Sequence, residues 1–153
     1  MSSACWRDWK PSGAAPPGVR QAKQVVVIGD GAAWIDTLHQ RHFGRHVPTV
    51  DWYHAAEHLH EVAKAAHPEH AGEQKQLAGR LTDALWRGHV QTVVLAIEEL
   101  VHRAGPVRVD VPGDHPRRIL RRNLGYFQRH APNMNYPSIP PTRLAHPRGS
   151  AAA

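Results

Sequence analysis

Residues 51–61, DWYHAAEHLHE, set three histidines (His54, His58, His60) and two glutamates (Glu57, Glu61) within eight positions. His54, Glu57 and His58 spell H-x-x-E-H, a pattern with which one class of zinc peptidases binds its metal. On a helix, residues four apart share a face, so His54 and His58 could grip one zinc ion with Glu57 beside them as base. Such an enzyme needs a third ligand downstream, and no glutamate follows Glu99. The competing reading is a polar helix face.

Two other groups could do chemistry. Asp30 follows the apolar run 25–28 and stands between Gly29 and Gly31. The carboxyl end of a parallel strand is where α/β folds place their ligands, and glycines let a ligand or metal approach the backbone. A turn aspartate also caps a following helix, so GDG alone leaves both roles open. Farther on, Arg117, Arg118, Arg121, Arg122 and Arg129 cover one side of a helix. Such a stripe tracks phosphates or simply meets solvent. Tyr126 and Phe127 beside it are expected to pack rather than stack on bases.

These residues need elements to hold them. Residues 25–28, VVVI, read as a strand buried on both faces. Residues 32–43 carry Ile35, Leu38 and Phe43 as a helix that Gly44 closes. Residues 46–52, HVPTVDW, give a second strand. The order strand, helix, strand is a β-α-β unit with a parallel pair. Four helical patterns follow. The first, 53–66, aligns Ala55, Leu59, Val62 and Ala66 and stops at Pro68. The second, 73–88, aligns Leu77, Leu81 and Leu85 before Gly88. The third, 90–104, closes at Gly105 and Pro106. The fourth, 115–130, is the basic one. Residues 1–22 are rich in Pro, Gly and Ser, and residues 133–153 hold Pro137, Pro140, Pro141 and Pro147 without an apolar period. Both termini are therefore expected to be disordered.

The chain has 153 residues, 41% of them hydrophobic, thirteen histidines and a formal charge of +6. A packed core is within reach. The basic balance fits a polyanionic partner, most simply nucleic acid, with ordinary arginine usage as the plainer account. The single cysteine, Cys5, rules out an internal disulfide and a cysteine-based zinc site. No apolar run approaches the roughly 18 residues of a membrane span, and no signal-peptide pattern opens the chain. A cytoplasmic setting with no membrane partner is expected.

Taken together, VVVIGDGAAWI, DWYHAAEHLHEVA, ALWRG, LRRNLGYF and MNYPS resemble the transposases of bacterial insertion sequences of the ISKra group, relatives of the Mutator-like DDE transposases. The resemblance spans residues 24–138, with the motifs in the family's order. It implies an α/β fold: a partial RNase H-like core (strand-helix-strand) followed by a mainly α-helical insertion. It implies DNA transposition, in which three carboxylates hold two Mg²⁺ ions that activate the attacking oxygen and stabilise the leaving one. Asp30 matches the second catalytic, metal-binding aspartate, and Asp51 with His54 matches the D-x-x-H motif. The basic helix, through Arg117, Arg118, Arg121 and Arg122, would face the DNA of the element ends. The expected division is an irregular segment 1–22, a core 23–67, an insertion 68–132 and a disordered tail 133–153.

The same resemblance asks for a first catalytic Asp on an upstream strand and a last Glu after YPS in a G-S-G-A-x-E-S type motif. This sequence carries neither, so one of three metal-binding carboxylates is present and a fragment without transposase activity of its own is expected. Residues 139–147, IPPTRLAHP, can be encoded so that reading from the second base spells YRPPGLPI, the continuation such a family shows. A frameshift at Ser138 or Ile139 is the corresponding expectation. Two alternatives stay open: a non-catalytic DNA-binding or interaction remnant, and a zinc hydrolase built on His54 and His58.

Overall fold

A computed structural model of the chain describes residues 25–30, 46–107 and 111–138. The segment 1–22, the helix expected over 32–43 and the tail beyond residue 138 lie outside the described residues. β1 (Val25–Gly29) and β2 (His46–Val50) pair in parallel, with Val25 opposite His46 and Gly29 opposite Val50. Their β-branched residues suit a pleated, half-buried surface.

Four helices follow. α1 (Trp52–Ala66) starts where Asp51 Oδ1 accepts the Tyr53 amide at 2.8 Å, an N-cap. It buries Ala55, Leu59, Val62 and Ala63 on one stripe and ends at His67, because the residue before a proline disfavours helical geometry. α2 (Ala71–Trp86) buries Leu77, Ala78, Leu81 and Leu85. Beyond it Gly88 adopts φ 81°, a left-handed conformation open to glycine. A β-carbon on Gly88 would lie 3.1 Å from Pro137 Cγ, so this glycine also lets the C-terminal segment come close. α3 (Val90–Ala104) buries Val93, Val94, Ile97 and Leu100. α4 (Pro116–His130) opens on a proline, with His115 Nδ1 accepting the Arg117 amide at 3.2 Å.

All four helices expected from apolar spacing thus form close to their expected bounds. α1 packs against α2 and α4, and α3 packs against α4 and α2. A single apolar cluster of described residues runs from Val50 to Tyr136. The described molecule is mostly helical, with a small two-stranded parallel sheet. None of its helices is long and apolar enough to cross a membrane.

The expectation of disorder from residue 133 needs correction. Two 3₁₀ turns, Ala131–Asn133 and Tyr136–Ser138, carry Met134 and Tyr136 into the core at 0% and 2% exposure. Tyr136 meets Trp52 edge-on at 5.2 Å and stacks on Trp86 at 6.3 Å. The prolines here fix the φ angles of tight turns, and aromatic burial anchors those turns.

Candidate functional site at the strand ends

The pairing of the strands continues one step past them. Gly29 lies opposite Val50, and the Asp51 amide donates to the Gly29 carbonyl at 2.7 Å. Asp30 and Asp51 therefore leave adjacent strands side by side. Two carboxylates at the carboxyl ends of a parallel pair occupy the place where open α/β sheets bind ligands. Asp30 is exposed and Asp51 half-buried. One Asp51 oxygen is engaged in capping α1.

Two tyrosines share this locality. The hydroxyls of Tyr126 and Tyr136 are buried and have no hydrogen-bond partner among the described residues. Burial, then the charges of Asp30 and Asp51, pushes the Tyr126 hydroxyl far above the ordinary phenol range. Burial, then Tyr126 and Asp51, does the same for Tyr136. Both phenols stay protonated donors.

His54 and His58 share a face of α1, as their spacing requires. Their rings meet edge to face at 4.8 Å, and His58 lies flat on Tyr126 at 3.8 Å. Beneath them Asn123 is fully buried. Its amide nitrogen donates to the Ile119 carbonyl at 2.9 Å and to Glu61 Oε2 at 3.3 Å. Its oxygen then faces His58 Nδ1 at 2.6 Å, so Nδ1 carries the proton and His58 is held in one tautomer. Arg122 Nη2 donates to the same Glu61 oxygen at 3.0 Å.

The charges follow from these contacts. Burial holds the His58 imidazole below the usual histidine value; the Asn123 contact opposes this and the His54 charge adds to it. Burial raises the Glu61 carboxyl, but hydrogen bonds from Asn123 and Arg122 outweigh that and hold it below the usual carboxylate value. Glu57 is largely exposed, 3.8 Å from His54 Nδ1. In this fold His54 and His58 pack their rings together, and His58 enters a hydrogen-bond chain through Asn123 to Glu61.

The arginines of α4 separate into two kinds. Arg117 donates to the Pro106 carbonyl at 3.1 Å, Arg118 is half-buried, and Arg122 is engaged by Glu61. Arg121 and Arg129 are exposed.

Mg²⁺, which the family resemblance implies, favours carboxylate oxygens, and Asp30 with Asp51 is a pair of that kind. No group of three or more His, Cys, Asp or Glu able to hold a metal ion occurs among the described residues.

Sequence reading passes over Asn123 and Tyr136. Asn123 does leave a signal, because it interrupts the buried stripe of α4 between Leu120 and Phe127 at helical spacing, and a polar residue is buried there only with partners. Tyr136 leaves little, since its neighbours are prolines and polar residues. No family model matches the chain, and no curated protein or solved structure matches it significantly.

Proposed function

We propose that this chain is the part of a DDE transposase that carries the second catalytic aspartate, Asp30, together with the helical insertion that follows it. In this reading it engages DNA and does not cut it unaided. The observation that carries the proposal is the parallel β1–β2 pair, which sets Asp30 beside Asp51 at the strand ends and sends α1 off directly behind them. That arrangement is compatible with part of an RNase H-like core. Within it, Asp51 fixes the start of α1, and His54 stands against His58, 5.9 Å from the Tyr126 ring.

DNA engagement in this reading rests on charge. The net +6 favours a phosphate backbone, and exposed Arg121 and Arg129 reach it most freely. Arg122, neutralised in part by Glu61, adds less. Mg²⁺, when held by a full set of three carboxylates, would supply activation of the attacking oxygen. Asp30 is this chain's share of that set.

The gene's surroundings test the proposal. Upstream DNA should encode a strand ending in an aspartate. Downstream, the shifted frame should reopen a GLPI-like stretch leading to a glutamate. Flanking DNA with neither feature overturns the transposase reading.

A further inference from the structure

Tyr126 and Tyr136 hold polar atoms that the packing does not explain. Tyr136 is 2% exposed, and both hydroxyl oxygens are buried without a hydrogen-bond partner among the described residues. Native interiors pair nearly all such groups, often through ordered water. Phenylalanine at either position would keep the ring contacts, 3.8 Å from Tyr126 to His58 and 5.2 Å from Tyr136 to Trp52, and would bury no polar atom. The two rings come from α4 and the turn after it, yet both converge on the start of α1. Tyr136 touches Trp52, next to Asp51, and Tyr126 lies 5.9 Å from His54. The charges of Asp30 and Asp51 act on Tyr126, and that of Asp51 acts on Tyr136.

We propose that Tyr126 and Tyr136 are positioning residues for the strand-end carboxylates, their hydroxyls donating through ordered water to Asp51 and Asp30 and fixing how those carboxylates are presented. A neutral phenol donating toward a carboxylate makes the stronger, charge-assisted kind of hydrogen bond. The inference deepens the function proposed above and rests on it for the purpose of the two carboxylates. It gives the LGYF and MNYPS stretches a role: each delivers one hydroxyl to the site.

A double-mutant cycle on the full chain, read by thermal unfolding, tests this. Asp51→Asn removes the charge and keeps the cap of α1, since asparagine caps as well as aspartate. Tyr136→Phe keeps the ring. The expected result is that Tyr136→Phe lowers Tm in the wild-type background and leaves it unchanged in the Asp51→Asn background. Tyr126→Phe should behave the same way against Asp30→Asn. Equal Tm shifts in both backgrounds, or a rise in Tm on losing a hydroxyl, overturn the proposal. If a variant does not fold, proton NMR of the unaltered chain decides. Slowly exchanging tyrosine hydroxyl protons in contact with a long-lived water support the assignment, and their absence overturns it. Neither experiment reads DNA binding, so failure of the positioning role and failure of the DNA-directed function register separately.

Discussion

Asn123 is the residue on which the interior polar contacts turn. It joins His58, Glu61 and the Ile119 carbonyl. Asn123→Ala leaves His58 Nδ1 without its acceptor and takes one donor from Glu61. Urea unfolding should show a loss of about 1–3 kcal/mol, the range for stranding a buried polar group. An unchanged midpoint would mean the chain of bonds is not formed. The same contacts predict a pH response. His58 titrates below its unfolded value, so the unfolded state binds more protons and the neutral form is the stabilising one. Its contribution is complete above the ordinary histidine value of 6.5 and is lost as pH falls through the lowered folded value. Glu61 is likewise depressed, so its contribution is complete above 4.5 and is lost on further acidification. Thermal melts from neutral pH to about pH 5 should show Tm falling, and His58→Gln should flatten that fall. An equal fall in both proteins would place the acid sensitivity elsewhere.

The helices were legible because their cause is local. Leu77, Leu81 and Leu85 repeat every fourth residue and are buried, and Asp51 both ends β2 and caps α1. Asp51→Ala should therefore cost about 1 kcal/mol while Asp51→Asn costs little, a contrast that chemical denaturation can measure. The C-terminal turns were not legible because their cause is remote. Tyr136 is held by Trp52 and Trp86, fifty or more residues away in sequence, while its immediate neighbours look like a disordered tail. Tyr136→Ala should cost about 3–5 kcal/mol, as for large aromatics in a core. A cost near zero would return residues 133–138 to the unstructured tail that composition suggests. The carboxylate pair lies between these cases. The sequence marks Asp30 as a strand-end residue, but only the parallel register sets it beside Asp51.

At the scale of the whole molecule, one helical core carries a short parallel pair, and the acidic strand ends belong to a chain of net charge +6. Charge patterning made the basic character of α4 legible. It did not reveal that Arg117 and Arg122 are engaged within the protein, because their partners, the Pro106 carbonyl and Glu61, are brought close only by folding. The central claim is that this basic helical body engages DNA without cutting it unaided. The most direct measurement is fluorescence anisotropy of a labelled DNA duplex titrated with the full chain across a salt series, followed by incubation with Mg²⁺. The account expects binding that weakens as salt rises, a slope of log K against log salt reduced by about 1 for each of Arg121→Ala and Arg129→Ala, and an intact duplex after incubation. No binding at low salt, or Mg²⁺-dependent cleavage by this chain alone, would contradict it.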